Sequence, residues 1–287
     1  MKSIKVKTPA KINLTLEILN RRPDGFHDLQ SIMQTISLYD YITINAEPSS
    51  VTQITLSGTS NAIPYDSKNL AYKACALFLE KIEGNFKIHI HIEKNIPIEA
   101  GLAGGSANAA GVFYGLNKIF NNVFTSDELI ELCAQIGSDV AFCLFGGTNL
   151  ATSRGEILKK VDTPSIKLLL IKPKTFGISA KEAYQKFDAL KAKSKINATF
   201  NMLMAINNKQ DITPFLINDL EKAIDKDYPQ IRQLKEYMLK LGCKNTLMSG
   251  SGSTVFGLLD DFIDLPKNLN AECFLAESIE YGVRVVN

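Results

Sequence analysis

Apolar and polar residues alternate strictly near the start of the chain. From Lys11 to Ile18, Ile12, Leu14, Leu16 and Ile18 fall on one face, and Lys11, Asn13, Thr15 and Glu17 on the other. That period of two predicts a strand with one apolar side. Asp24-Gly25 reads as a turn, after which Ser31 to Ile44 resumes a strand pattern through Ile36, Leu38 and Ile42. Lys87 to Glu93 alternates again, with isoleucines on one face and Lys87, His89, His91 and Glu93 on the other. Between these strands, Asn69 to Ile82 has helical spacing at Leu70, Ala74, Leu77 and Phe78.

The texture changes at Pro97, where a strand ends, a glycine-rich loop comes next and an alanine-rich helix begins. Ala109, Val112, Phe113 and Leu116 form the apolar stripe of that helix. Thr125-Ser-Asp-Glu128 has the pattern of a capping box and opens another helix, with Leu129, Leu132, Cys133 and Ile136 on one face. Gly137-Ser-Asp-Val140 is a break leading into a short apolar segment that stops at Gly146-Gly147. Around Thr163-Pro164-Ser165 the pattern resets, which places a domain boundary between residues 150 and 165, with domains taken as 1–155 and 156–287. The second half reads as a strand (Ile166 to Ile171), a helix (Ser179 to Phe187), a lysine-rich stretch (Lys191 to Lys195) and two or three helices up to Leu241. A strand-turn-strand through Met248 to Ser253, a final helix and a short strand (Gly282 to Val286) complete it. Strands and helices without strict alternation predict an α+β fold in both halves.

Composition narrows the function classes. A chain of 287 residues, 45% hydrophobic and 22% charged, fits a globular protein of about two domains. A formal charge of +2 argues against a nucleic-acid binder or membrane anchor that works through bulk charge. No apolar run approaches the ~20 residues of a spanning helix, and the N-terminus lacks a signal-like apolar stretch. The five cysteines are scattered without a C-x-x-C pair and read as reduced core residues, so the expectation is a cytoplasmic protein. His89 and His91 sit two apart on one strand face, but no third ligand stands at useful spacing. A solvated strand face is the reading adopted, and no resident metal site is expected.

The loop Gly101-Leu-Ala-Gly-Gly-Ser106 carries the most chemistry. Glycines let backbone amides approach a ligand closely, and the helix after them aims its free N–H groups and positive dipole end at the same point, as phosphate binding requires. The loop lacks the lysine of a Walker A motif and the spacing of a dinucleotide fingerprint. The alternative is a turn that only permits close helix–strand packing. Met248-Ser-Gly-Ser-Gly-Ser-Thr-Val255 is a second, weaker glycine cluster; alone it reads as a hairpin turn, though paired with the first it suggests a nucleotide clamped between domains.

Taken with these loops, Pro9-Ala-Lys11-Ile-Asn13-Leu, Arg21-Arg-Pro-Asp-Gly-Phe-His27, Gly137-Ser-Asp139-Val, Gly177-Ile-Ser-Ala-Lys-Glu-Ala-Tyr184 and Asn218-Asp-Leu-Glu221 make the chain resemble the GHMP kinase superfamily over nearly its whole length. The Asp24-Gly-Phe-His27 segment points to the branch whose acceptor is 4-diphosphocytidyl-2-C-methyl-D-erythritol, in the methylerythritol phosphate route to isoprenoids. The resemblance implies an N-terminal domain like ribosomal protein S5 domain 2, a ferredoxin-like C-terminal domain, and ATP-dependent phosphorylation of the acceptor's 2-hydroxyl, with magnesium. It implies a monomer or weak homodimer that acts on a small molecule and engages neither nucleic acid nor membrane. The residues carried over are Asp139 as base with Lys11 beside it, and Pro97, Ile98, Glu99, Ala100, Gly101, Leu102, Ala103, Gly104, Gly105, Ser106 and Ala107 around the phosphates. Ser106 corresponds to a phosphate or magnesium contact, or is simply a helix N-cap. Asn69 and Leu70 belong to the adenine side, Asn13 to the erythritol end, and Phe26, His27 and Tyr184 to the cytosine. Ordinary roles remain open for several: a core position for Tyr184, surface charges for Lys11 and Asp139.

The residues agree in part on their own. Lys11 lies on the polar face of its strand and need not enter the core, and Asp139 sits at a break where a side chain can project into a cleft. An aspartate with pKa near 3.9 accepts an alcohol proton only as the P–O bond forms. The family loop usually reads G-L-G-G-G-S-S, so Ala103 and Ala107 depart from it, and Phe26 stands where tyrosine is also common. Ala103 must then take a backbone angle that glycine adopts more easily. Another GHMP kinase, acting on homoserine or mevalonate, and a catalytically silent nucleotide-binding regulator are the competing expectations.

Overall fold

The structure, a computed structural model, describes residues 1–190 and 197–286, so the lysine-rich stretch Lys191 to Lys195 lies outside the described residues. The first half runs β1 (Lys2–Asn13), β2 (Thr15–Arg21), β3 (His27–Pro48), β4 (Gln53–Gly58), α1 (Leu70–Leu79) and β5 (Phe86–Glu93). It continues with α2 (Gly104–Ile119), α3 (Ser126–Ile136), α4 (Val140–Phe145), β6 (Thr148–Ser153) and β7 (Ile157–Val161). The second half holds β8 (Lys167–Pro173), α5 (Ala180–Leu190), α6 (Ala198–Asn207), β9 (Ile217–Asn218), α7 (Asp219–Ile224) and α8 (Pro229–Lys240). It ends with β10 (Thr246–Met248), β11 (Val255–Leu259), β12 (Ala271–Glu277) and β13 (Arg284–Val285).

Among the described residues these elements make two sheets, and the fold is α+β as the sequence predicts. The 22-residue β3 is the spine of the larger, nine-stranded sheet. It pairs antiparallel with β1, β2, β5 and β6. α2 packs on this sheet, and Ala109, Val112, Phe113 and Leu116 are all fully buried. Glycine lets it lie close: a Cβ at Gly111 would stand 2.5 Å from the Thr8 methyl and 3.0 Å from Ile42. α3 starts at the expected capping box, with both the Thr125 and the Glu128 side-chain bonds present. The smaller sheet is antiparallel in the order β10-β11-β8-β12, the order of a ferredoxin-like sheet.

Three features differ from the expectations. First, no helix lies between β11 and β13: residues 271–277 form β12, paired antiparallel with β8 from Ala271↔Pro173 to Glu277↔Lys167. Helix-favouring Ala, Glu and Leu yield there to an open sheet edge, the usual tertiary override of propensity. Second, the polar face of the first strands is not solvated. Lys11, Asn13, Thr15 and Glu17 are all no more than 5% exposed. α6 and α7 from the second half cover its β2 part: Glu17 accepts the Ala198 and Thr199 amides, Thr199 Oγ1 donates to Thr15 Oγ1, and Asp219 accepts the Ile18 amide. Third, His89 and His91 are half-buried and both engage the Ser57 hydroxyl on β4, at 3.0 and 2.8 Å.

The expected division at 155/156 falls in the turn of the β6–β7 hairpin, so β7 stays with the first sheet. Two strands from beyond it, β9 and β13, also join that sheet. Among the described residues no helix is long and apolar enough to cross a membrane.

Candidate active site

β1 delivers the first functional groups. Its pairing with β3 shifts register between Pro9 and Ala10, where proline has no amide to give the ladder. Beyond this irregularity the Lys11 amide bonds to the Leu102 carbonyl at 3.2 Å, so the strand lies directly against the glycine loop. The Lys11 ammonium donates to Asn13 Oδ1 at 2.8 Å and stands 3.4 Å from Asp139 Oδ2. The Asn13 amide nitrogen donates to Ser31 Oγ, and Ser31 donates to the Thr15 carbonyl. This chain of bonds fixes which end of the Asn13 amide faces the lysine.

Asp139 is the N-cap residue of α4, yet its side chain makes no capping bond and is 31% exposed. Its backbone is anchored by the helix it opens, where Val140, Ala141, Phe142, Cys143 and Leu144 are all buried. Burial, and behind it the charge of Asp139, push the Tyr184 hydroxyl well above the ordinary tyrosine range.

Lys11, Asn13, Asp139, Ser106, Phe26, His27 and Tyr184 line one cavity of about 600 Å³, together with Arg21, Arg154, Lys181 and Asp188. At its far end His27 is 8% exposed and stacks on Tyr184, with ring centroids 5.0 Å apart and planes at 21°. Its Nε2 is 2.7 Å from Asp188 Oδ1. Phe26, by contrast, is 53% exposed and carries the Arg154 guanidinium 5.1 Å above its ring. Tyr184 therefore stacks on His27, while Phe26, under Arg154, forms a separate aromatic wall.

A second cavity, of about 340 Å³, is lined by residues 97–105 together with Asn69, Leu70, Lys94 and Asn108. Its lining comes from the first half alone, whereas the larger cavity is lined by residues of both glycine clusters, Ser106 and Gly250 with Ser251. Those clusters touch each other: Ser249 Oγ donates to the Gly101 carbonyl at 2.9 Å, and the Thr254 amide bonds to the Ala100 carbonyl. Ala103 holds φ of +56° as N-cap of α2 and makes no side-chain cap. The first amides of α2 are thus left without a capping side chain, in the arrangement that favours anions. Ser106 is the third residue of that helix rather than its N-cap, and Ala107 is fully buried and lines neither cavity. Asn69 spends its side chain on capping α1, accepting the Ala71 amide at 2.9 Å.

Sequence reasoning does not single out Asp40, Lys94, Asp188 or Arg154. Asp40 is fully buried and accepts the Lys94 ammonium at 2.6 Å, the Asn95 and Ile96 amides and the Asn108 amide nitrogen. Burial draws Lys94 below its ordinary range, against the opposing pull of Asp40. Nothing in their local sequence distinguishes these two from surface charges. Asp188 carries a usable signal, since it lies four residues beyond Tyr184 on α5 and so shares its face. Among the described residues no group of three or more His, Cys, Asp or Glu could hold a metal ion.

The family profile for the GHMP kinases N terminal domain matches residues 69–147, and that for the GHMP kinases C terminal matches residues 188–267. The chain is 45% identical over 253 residues to the 4-diphosphocytidyl-2-C-methyl-D-erythritol kinase of Desulfitobacterium hafniense strain Y51, covering 87% of this chain and 85% of that one. A solved structure of a 4-(cytidine 5'-diphospho)-2C-methyl-D-erythritol kinase superposes with a TM-score of 0.72 at 31% identity, over 90% of each chain. A homoserine kinase from Cytophaga hutchinsonii superposes with a TM-score of 0.78, over 100% of this chain and 98% of that one, but at 20% identity it speaks for the fold alone. The chain belongs to the GHMP kinases, in their 4-diphosphocytidyl-2-C-methyl-D-erythritol kinase family.

Proposed function

We propose that the chain transfers the γ-phosphoryl group of ATP to the 2-hydroxyl of 4-diphosphocytidyl-2-C-methyl-D-erythritol, with Asp139 and Lys11 at the reacting centre. The names of the relatives supply the kinase activity and the acceptor. The observation that supports its location is that consecutive residues face different cavities: Gly104 and Gly105 line the smaller, Ser106 the larger. A nucleotide in the first therefore presents its terminal phosphate, at the start of α2, to an acceptor in the second. Glycine-loop amides and the helix dipole hold the phosphates.

Asp139 takes the hydroxyl proton as the new P–O bond forms and the bond to ADP breaks. Lys11, oriented by Asn13, places positive charge beside that carboxylate and stabilises negative charge developing on the attacking oxygen. Magnesium keeps most of its ligands from phosphate and water and needs only one or two protein oxygens. The Ser106 hydroxyl, on the cavity wall at the start of α2, fits that demand, and the ion would neutralise charge on the transferred phosphoryl group. Phe26 stacks on the cytosine and His27 meets its edge, while Asn13 faces the erythritol end.

A coupled ADP-release assay against the cytidine-diphosphate acceptor, homoserine and mevalonate tests the assignment. Turnover is expected with the first and not with the others. Equal or better turnover with homoserine or mevalonate would overturn the acceptor, and none with any would leave a nucleotide-binding protein without this chemistry.

A further inference from the structure

His27 is held on several sides at once. Tyr184 stacks on one face, Phe187 meets the ring edge-on at 6.5 Å and 87°, and Nε2 lies 2.7 Å from Asp188 Oδ1. Asp188 is itself fixed, because its other oxygen is 3.6 Å from Arg21 Nε. A carboxylate only accepts, so the nitrogen facing it carries the ring proton. In the neutral imidazole the other nitrogen, Nδ1, is then an acceptor, and among the described residues it has no hydrogen-bond partner. His27 and Asp188 both line the large cavity.

We propose that Asp188 is a positioning residue for base recognition: by taking the Nε2–H of His27 it leaves Nδ1 as an acceptor for an exocyclic amine, so the site prefers a cytosine to a uracil. Cytosine presents an amino group where uracil presents a carbonyl oxygen, and an acceptor facing that carbonyl is left unpaired and repelled. This inference rests on the proposed reading that His27 meets the base.

Three measurements on the whole enzyme test it. With only three histidines in the chain, ¹⁵N spectra can assign His27, and its Nδ1 is expected at the shift of an unprotonated ring nitrogen. A protonated Nδ1 in the wild-type neutral ring would overturn the proposal, whatever the variants do. Asp188→Ala should raise KM for the cytidine acceptor about tenfold with little change in kcat, and should narrow the preference over a uridine analogue. Asp188→Asn, whose amide oxygen can still accept the N–H, should restore most of both. His27→Ala separates the two readings. If it leaves KM unchanged, the assignment of the base site itself fails. If it raises KM while Asp188→Ala alters neither KM nor base preference, the base site stands and the role of Asp188 falls.

Discussion

Asp139 has the freedom a proton acceptor needs because α4 anchors its backbone while its carboxylate caps nothing. Replacing that carboxylate should therefore cost chemistry and little else. Asp139→Asn is expected to lower kcat by about 10²-fold or more, the range for loss of a general base, while calorimetry shows ATP affinity near wild type. A variant that keeps a large share of its rate would leave positioning, without a base, as the source of catalysis. Lys11 shows what alternation cannot report. The period of two correctly puts it on the face opposite Ile12 and Leu14, but a polar face reads as solvent only when nothing else covers it. Here the cover comes from far along the chain: Asp139 stands beside Lys11, and Thr199 bonds to Thr15 on the same face. What the sequence does carry is the company Lys11 keeps: Asn13 two residues on, and Asp139 at a break.

At the scale of elements, two glycines of the first loop behave differently from each other. Gly101 has φ of +71°, and a Cβ there would run into the Ser249 carbonyl oxygen. Gly101→Val is thus expected to destabilise the protein by on the order of 3 kcal/mol, through backbone strain and overpacking, visible as a lower denaturation midpoint. Gly105 is the useful contrast, since a Cβ there meets nothing closer than Leu70 Cδ1 at 3.5 Å. Gly105→Ala should leave stability intact or raise it by up to about 1 kcal/mol, as alanine for glycine does within a helix. A loss of ATP affinity in that stable variant would mean that the space at Gly105 serves the phosphates; unchanged affinity would return it to packing. Behind the loop, Asp40→Ala would strip Lys94, two backbone amides and Asn108 of their shared acceptor, at a cost of about 3–5 kcal/mol for orphaning a buried charge. Thermal unfolding checks it, and a midpoint indistinguishable from wild type would show that water replaces the carboxylate. The loop, the helix after it and the capping box of α3 are all legible because each is set by local residues. β12 is not, because its conformation is decided by the free edge of β8.

Over the whole molecule, the sequence suggests two domains in succession, whereas the halves are interleaved. β9, two residues long, is too short to show any periodicity, and β13 lies inside the short closing strand that the sequence predicts without a partner; together they add the second half to the first sheet. Asn218 sits at the centre of this joint and is 4% exposed. Its Oδ1 caps α7 through the Leu220 amide, and its Nδ2 donates to the Met248 and Gly250 carbonyls at 2.8 and 2.7 Å. One side chain thereby ties the strand added to the first sheet to the glycine turn of the second, which in turn rests on Gly101. With the halves bonded at so many points, separate unfolding of either would expose backbone donors in the other, so cooperative loss is the expected course. Guanidinium titration monitored by far-ultraviolet circular dichroism and by fluorescence of the nine tyrosines should give one coincident transition. Asn218→Ala should move both signals together to lower denaturant, by roughly 3 kcal/mol for a cap and two buried acceptors left unpaired. Two transitions in the wild type, or a shift confined to one signal in the variant, would mean that the halves fold apart and that the glycine loops meet as docked surfaces of two domains.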